Sequence, residues 1–478
     1  MADYPDTQLF IAGTWRPAHD GRVIAVTDPA TDETIGTVAH AGPADLDEAL
    51  VAAECGFRQW SESSALERGQ VLRRAAILLR ERIETIARIL SREQGKPIAQ
   101  ARIEVAVAAD ITDWFAEEAR RSYGRIIPPR DPRVTQLAYK GPVGPVAAFS
   151  PWNFPISQVA RKIAAGLAVG CSVIVKAPEE TPASPAELIR AYIDAGIPGE
   201  ALSLVFGSPA QISEYLIPHP VIRKVTFTGS TAVGKQLAAL AGAHMKRVTM
   251  ELGGHAPAMI FADADIGRAV EVTAAAKFRN AGQVCVAPTR FMVEDAVADA
   301  FTEALTAYAS SLNVGHGLDA SVQMGPLAHG RRVTAMEAMV ADALDRGARL
   351  VTGGKRIGNS GNFFQPTVLA DVPVEAMMMR EEPFGPIAII NRVQGVEAML
   401  AEANRLPYAL ASYAFTGSDD TARELGRRVR AGMLTINHNG LALPEVPFGG
   451  LMDSGYGSEG GSEAIESYLE TRFVSQFG

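Results

Sequence analysis

The stretch that decides the fold is "VGPVAAFSPWNFPISQVARKIAAGLAVGCSVIVK", residues 143–176. Two short apolar runs lie at its ends, and the second is rich in β-branched residues. Between them come a proline-rich turn and four apolar residues at helical spacing: Ile156, Val159, Ile163 and Leu167. This order predicts a strand, a helix and a second, parallel strand joined by a right-handed crossover.

The same alternation continues downstream. Helices near 184–195, near 209–216 and after Ser230 separate strands at "LSLVF", "IRKVTF" and "RVTMEL". The pattern predicts a doubly wound α/β domain, and a second α/β region follows from 251 to about 455. Upstream, residues 66–95 show the periodicity of one amphipathic helix that ends at Gly95.

Composition and charge limit the partners. The chain has 478 residues, of which 47% are hydrophobic and 21% charged, as in soluble globular proteins. Its net charge of −9 disfavours both nucleic acid and anionic membranes, so we expect neither as a partner.

The cysteines and the N-terminus indicate a compartment. Three cysteines, Cys55, Cys171 and Cys285, are too few for a disulfide framework and favour a reducing environment. The stretch "MADYPDTQLF" lacks the basic and apolar regions of a secretory signal, and no apolar run is long enough to span a membrane. We therefore expect a cytoplasmic protein.

Two glycine-rich stretches resemble nucleotide motifs. "FTGSTAVGKQ", residues 227–236, is close to a P-loop, but Gln236 stands where a Mg²⁺-binding Ser or Thr is needed. It follows a predicted strand and opens a helix, so it can meet a phosphate. A P-loop NTPase and a plain turn both stay open. "GYGSEG", residues 455–460, has too little chain after it for a βαβ unit, and we interpret it as a flexible turn.

Polar residues with reactive side chains gather where predicted strands end: Asn153, Lys176, Ser230, Glu251 and, in a loop after a helix, Cys285. Each also has an ordinary structural explanation, such as a turn, a cap or a buried thiol. The eight histidines are scattered without metal-ligand spacing, so we expect no catalytic metal.

Taken together, these stretches resemble a known family. "SPWNFP", "KAPEETP", "FTGSTAVG", "ELGGHAP", "GQVCVAPTR" and "EEPFGP" are similar, in order and spacing, to motifs of the NAD(P)-dependent aldehyde dehydrogenase superfamily. The resemblance runs from "DPATDE" at 28–33 to "PFGGLMDSGYG" at 447–457. "FRNAGQVC" and "DSGYGSEGG" look most like the dehydrogenases of succinate semialdehyde or α-ketoglutarate semialdehyde.

The resemblance implies a catalytic set. Cys285 would be the nucleophile, its thiol pKa lowered by free amide groups of the loop. The Asn153 amide and the Cys285 backbone N–H would hold the oxyanion. Glu251 would activate water to hydrolyse the thioester, its pKa raised by apolar surroundings.

It also implies cofactor and substrate residues. Lys176 and Glu179 would bind the adenosine ribose, and the Glu179 carboxylate would favour NAD over NADP. The remaining cofactor residues would be Gly229, Ser230 and Val233 at the diphosphate and adenine end, and Trp152, Glu382 and Phe384 at the nicotinamide end. Arg161 and Arg279 would clamp the distal carboxylate of the substrate, unless Arg161 only pairs with an acidic neighbour.

Several alternatives stay open at this stage. Relatives that transfer the acyl group to coenzyme A, broad-specificity enzymes and a catalytically silent member all share the fold. The segment "NHNGLALPEV", 437–446, fits no single substrate subgroup and leaves the aldehyde open.

The expected architecture has three parts. A Rossmann-like dinucleotide-binding domain would comprise 1–123 and 142–250, and an α/β catalytic domain 251–455. Residues 124–141 and 456–478 would form a small β oligomerisation arm and tail, which predicts a homodimer or homotetramer.

Overall fold

The computed structural model describes residues 4–478. The N-terminal part supplies short strands and four long helices: β1 (Leu9–Ile11), β2 (Thr14–Arg16), β3 (Val23–Thr27), β4 (Thr34–Ala39), α1 (Pro43–Glu62), α2 (Ala65–Glu81), α3 (Ile83–Gln94), α4 (Ile98–Glu118), β5 (Arg125–Ile127) and β6 (Val134–Pro142).

Strands and helices then alternate, as the sequence predicts: β7 (Val146–Phe149), α5 (Ser157–Val169), β8 (Val173–Lys176), α6 (Ala183–Asp194), β9 (Leu202–Val205), α7 (Pro209–Leu216), β10 (Lys224–Thr228), α8 (Thr231–Ala243) and β11 (Arg247–Glu251).

The C-terminal part continues with β12 (Ala256–Ile260), α9 (Ile266–Phe278), β13 (Pro288–Val293), α10 (Asp295–Ser311), α11 (Gly330–Asp345), β14 (Arg349–Thr352), β15 (Thr367–Ala370), β16 (Ile387–Arg392), α12 (Gly395–Ala403), β17 (Tyr408–Ala409), β18 (Ala411–Phe415), α13 (Asp419–Arg428), β19 (Met433–Ile436), β20 (Leu451–Met452), β21 (Gly455–Tyr456), α14 (Glu463–Glu466) and β22 (Leu469–Phe477).

The first sheet has eight strands in the order β2-β1-β9-β8-β7-β10-β11-β21. Its five central strands, β9 to β11 in that order, are parallel. The chain runs outward from β7 to β9 and then returns to add β10 and β11 on the other side of β7. The predicted doubly wound, Rossmann-like sheet is confirmed, and its order reverses between β7 and β10, where such sheets bind ligands.

The second sheet has seven strands in the order β14-β15-β16-β13-β12-β18-β19, all parallel except β14. A separate three-stranded sheet, β22-β6-β5, joins the C-terminal strand to the segment after α4. The domain boundaries and the role of this third sheet as an arm stay predictions.

Two local predictions were wrong. Residues 66–95 form two helices, because Arg82 (φ −98°, ψ 7°) ends α2 and begins α3, while Gly95 (φ 90°) does end α3. The stretch 455–460 is not a flexible turn, since it contains β21 at the edge of the first sheet. Gly455 has φ 107°, and a Cβ there would lie 1.8 Å from the Met250 carbonyl oxygen, so close packing requires this glycine.

Helix α5 connects the fold to the site. All thirteen of its residues are buried, and it packs against α2 and α4. Its charged residues Arg161 and Lys162 must therefore find partners inside the protein. No helix within residues 4–478 combines the length and apolar character that a bilayer span requires.

Candidate active site

Asn153 lies in the turn between β7 and α5, and only 3% of it is exposed. Its Nδ2 donates a hydrogen bond to the Gln283 carbonyl oxygen at 3.1 Å, two residues before Cys285. Its Oδ1 has no hydrogen-bond partner among residues 4–478. The side-chain amide is thus held against the loop that carries the cysteine.

Cys285 follows a 3₁₀ turn, Arg279–Gly282, in which Asn280 and Ala281 have left-handed angles of φ 51° and 53°. Gly282 has φ 72°, and a Cβ there would lie 2.0 Å from the Gly385 carbonyl oxygen. Only glycine permits this close approach, which holds the cysteine loop against the segment that contains Gly385.

Glu251 is the last residue of β11 and is 2% exposed. Neither carboxylate oxygen has a hydrogen-bond partner in the described part of the chain. An unpaired buried carboxylate is costly, so this arrangement is typical of a group that acts on a ligand.

One cavity of about 400 Å³ brings the three catalytic candidates together, because Asn153, Glu251 and Cys285 all line it. Five of the expected cofactor residues line the same cavity: Trp152, Gly229, Ser230, Glu382 and Phe384. The rings of Trp152 and Phe384 meet edge to face with centroids 5.6 Å apart.

An adjoining cavity of about 990 Å³ contains the other three expected cofactor residues, Lys176, Glu179 and Val233. The two cavities share Trp152, Gly229 and Ser230. The Lys176 Nζ lies 2.6 Å from Glu179 Oε1, and the Gly207 amide donates to the same oxygen at 3.3 Å.

The residues of this double cavity fit a dinucleotide. It opens where the strand order reverses, and α8 begins in it with Ser230 as N-cap, whose Oγ accepts from the Val233 amide. The first-turn amides of a helix have no partner within the helix and suit a phosphate. A Cβ at position 229 would lie 2.4 Å from the Phe227 ring, so the glycine keeps this approach open.

The electrostatics confirm one expectation and overturn another. Burial, and next the Glu459 carboxylate, raise the pKa of Glu251 well above its ordinary value. Although part of Cys285 is accessible, burial together with the Glu382 and Glu251 carboxylates raises the pKa of its thiol to about 12, against a smaller lowering by Arg279. The Cys285 backbone amide does lower the thiol pKa, but burial and two carboxylates outweigh it, so the expected net lowering is wrong.

The structure adds two residues that the sequence interpretation missed. Lys162 forms a buried ion pair with Glu459 and donates to the Thr228 hydroxyl at 2.6 Å, and Lys162 and Glu459 both shift the Glu251 pKa. The sequence signal that could have identified Lys162 was a lysine on a predicted helix with apolar residues on every side. Glu459 lies in the stretch that we interpreted as a flexible turn.

A third cavity of about 140 Å³ is also lined by Cys285, together with Arg161, Arg279 and Phe154. The Arg279 guanidinium lies 5.3 Å from the centroid of the Phe154 ring, and its Nε has no hydrogen-bond partner among residues 4–478. This cation is available to a ligand.

Arg161 lines the same cavity, and two of its five N–H donors bond within the protein. Its two Nη atoms donate to the carbonyl oxygens of Glu459 at 3.0 Å and of Ala442 at 2.9 Å. Its guanidinium also lies 4.7 Å from the centroid of the Phe448 ring. These contacts, which are backbone carbonyls and a ring rather than an acidic side chain, tie the segment 437–446 to α5.

Comparison with known proteins gives a consistent result. The sequence profile described as "Aldehyde dehydrogenase family" matches residues 15–474. A 4-(hydroxymethyl)benzenesulfonate dehydrogenase of Comamonas testosteroni is 46% identical over 98% of each chain. A 3-sulfolactaldehyde dehydrogenase of Pseudomonas putida is 41% identical over 98% of this chain and 96% of its own. The crystal structure of a succinate-semialdehyde dehydrogenase from Burkholderia pseudomallei superposes with a TM-score of 0.97 at 39% identity, covering 99% of this chain and 98% of the other.

Proposed function

Because this chain belongs to the aldehyde dehydrogenase family and is an oxidoreductase, we propose that it oxidises an aliphatic semialdehyde of the succinate-semialdehyde or α-ketoglutarate-semialdehyde type to the dicarboxylate with NAD⁺. The observation that carries this proposal is the position of Arg279. Its unpaired guanidinium and the Cys285 residue line one small cavity. An aldehyde at the sulfur therefore has a cation within the same cavity for its distal carboxylate.

The reaction starts at Cys285. Its thiol, which is partly accessible, loses a proton to solvent, and the sulfur adds to the aldehyde carbon. The carbonyl oxygen becomes an oxyanion. Asn153 Nδ2 carries two hydrogens and Gln283 takes only one, so the other can donate to this oxygen together with the Cys285 backbone N–H.

When bound, the cofactor held by Trp152, Glu382 and Phe384 would supply the hydride acceptor for this carbon. The acyl group then stays on Cys285 as a thioester. Glu251 takes a proton from water, the water oxygen adds to the thioester carbon, and the carbon–sulfur bond breaks. The dicarboxylate leaves and the thiolate is restored.

The chain's own residues support a nicotinamide cofactor at the double cavity. Lys176 and Glu179 would bind the adenosine ribose, Gly229, Ser230 and Val233 the diphosphate and adenine end, and Trp152, Glu382 and Phe384 the nicotinamide end. Members of the family use NAD or NADP. The Glu179 carboxylate would repel a 2′-phosphate, and this favours NAD.

A sulfonated aldehyde is a second candidate substrate. Two of the relatives, at 46% and 41% identity, are named for sulfonated compounds. A sulfonate, like a carboxylate, is an anion that a guanidinium can bind through two oxygens. Transfer of the acyl group to coenzyme A is disfavoured, because Glu251 is in place to activate water.

The test is a panel of initial rates with succinate semialdehyde, a sulfonated aldehyde and butanal, a neutral aldehyde of the same chain length as the first. Arg279→Met should lower kcat/KM for the anionic aldehydes roughly 10- to 100-fold, since a hydrogen bond to a charged group is worth about 1.5–3 kcal/mol. Butanal should change little. Arg268→Met is the matched control, because Arg268 is exposed on α9, the helix that ends just before Arg279, and lies outside the cavity. Equal losses for charged and neutral aldehydes would discard the clamp.

We also propose that the protein is a homodimer or homotetramer that associates through the three-stranded sheet. Five large hydrophobic side chains are exposed on it: Ile126 at 83%, Tyr139 at 50%, Phe473 at 59%, Val474 at 44% and Phe477 at 65%. A second copy of the chain would cover them. Light scattering after gel filtration gives the mass, and a monomer at micromolar concentration would contradict this proposal.

A further inference from the structure

The backbone carbonyl of Asn153 is held as firmly as its side chain. It accepts hydrogen bonds from Lys96 Nζ at 2.8 Å and from Asn280 Nδ2 at 3.0 Å. Lys96 lies in the turn between α3 and α4, outside the strands and loops of the active site, and its ammonium also lies 4.1 Å from the centroid of the Phe154 ring.

Lys96 forms a buried ion pair with Glu104 on α4, and each side chain is only 1% exposed. The other Glu104 oxygen, Oε1, accepts from the backbone amides of Ile156 at 3.0 Å and Ser157 at 3.3 Å. Helix α5 has no capping side chain of its own at this end. Glu104 therefore supplies from α4 the acceptor that an N-cap usually provides.

The pair thus holds the active-site turn on both sides. Lys96 fixes the Asn153 carbonyl, and Glu104 fixes the backbone three and four residues later. A buried ion pair is seldom a large net stabiliser compared with well-packed apolar residues. Here both charged groups also bond to the backbone close to the Asn153 amide, which indicates that the pair fixes the geometry of this turn.

We propose that Lys96 and Glu104 are positioning residues that aim the Asn153 side-chain amide at the oxyanion. This rests on the proposed function, in which Asn153 donates to that oxygen. Lys96 lines none of the three cavities and Glu104 lines only the small one, so the pair acts by setting the backbone from which the Asn153 side chain projects. A displacement of about 1 Å at such a donor can cost about 10²-fold in rate.

The experiment is a double-mutant cycle between Lys96→Met and Asn153→Ala, read from the first-turnover rate of NADH formation with butanal. Lys96→Met alone should slow this step roughly 10- to 100-fold, with the Kd for NAD⁺ unchanged. In the Asn153→Ala background the same substitution should cost less than about threefold, because the amide that it aims is absent. Lys96→Arg should recover part of the rate.

Two controls separate a positioning role from a general loss of structure. Arg102 lies on α4, as Glu104 does; Arg102→Met breaks an exposed ion pair with Glu84 on α3 and should leave the rate unchanged. Lys96→Met leaves the buried Glu104 carboxylate without its ion-pair partner, so the cycle is repeated with Lys96→Met/Glu104→Gln, which removes both charges of the pair. That variant should fold and show the same dependence on Asn153.

The positioning role would be overturned if the losses of first-turnover rate in Lys96→Met and Asn153→Ala multiply in full. It would also be overturned if Lys96→Met weakens NAD⁺ binding. A first-turnover rate that Asn153→Ala leaves unchanged would instead overturn the proposed oxyanion role of Asn153. The two failures are therefore distinguishable.

Discussion

Glu251 lies opposite Thr228 in the parallel register of β11 and β10, and the Gly229 amide donates to the Glu251 carbonyl oxygen at 3.0 Å. The sheet thereby holds the proposed base and the proposed phosphate loop in one rigid arrangement. The side-chain oxygens of Glu251 take no part in it. Substitutions of the carboxylate can therefore be interpreted as chemistry rather than as loss of the loop.

Glu251→Gln should allow one turnover and then stall. The amide is close in shape to the acid but cannot take a proton from water, so the thioester should accumulate and steady turnover should fall roughly 10²- to 10⁴-fold. Rapid mixing should show a burst of NADH, and mass spectrometry should show the acyl group on Cys285. Unchanged steady turnover would remove Glu251 from the role of base.

Cys285→Ala should abolish oxidation while preserving cofactor binding. Loss of the sulfur removes the only covalent attachment point, and steady NADH formation should fall by at least roughly 10⁴-fold. Titration of tryptophan fluorescence with NAD⁺ should give the parental Kd. Cys55→Ala is the control, since Cys55 is exposed and lines none of the three cavities, and it should keep full activity. Substantial residual turnover in Cys285→Ala would refute the nucleophile.

Glu179→Gln should move the cofactor preference toward NADP. The substitution removes a negative charge beside the Lys176 ammonium, so a 2′-phosphate would meet a free cation instead of an ion pair. We expect the ratio of kcat/KM for NADP to that for NAD to rise roughly 10-fold, equivalent to about 1.4 kcal/mol. Glu180→Gln removes a neighbouring charge from the same cavity without that contact and serves as the control. An unchanged ratio would show that Glu179 does not discriminate the cofactors.

The reactivity of Cys285 should keep rising with pH. A thiol whose pKa is about 12 is almost wholly protonated at neutral pH, and each added pH unit should raise its alkylation rate by iodoacetamide roughly 10-fold. A small free thiol levels off above its pKa of about 8.5. Glu382→Gln removes a carboxylate that raises this pKa, so its profile should shift to lower pH. An alkylation rate that reaches a plateau near neutral pH in the parent protein would contradict the raised pKa of the Cys285 thiol.

Much of the architecture followed from local patterns. The alternation of apolar runs and helical spacing from 143 to 251 sufficed for the doubly wound sheet, because each element buries one apolar face and a parallel crossover has one favoured hand. The motifs that resemble the family marked Asn153, Glu251 and Cys285, and the structure places all three around one cavity. Their chemical roles await the experiments above.

What the chain itself determined was therefore the order of elements and the identity of the reactive side chains, which depend on neighbours in sequence. What only the tertiary structure decided was the environment of those side chains. The raised Cys285 pKa, the commitment of Arg161 to two backbone carbonyls and the contacts of Lys96 and Glu104 with the Asn153 turn all depend on residues brought together from distant parts of the chain. Burial and electrostatic interactions act through space, so a pattern of residues that are close in sequence does not show which distant groups meet across a cavity.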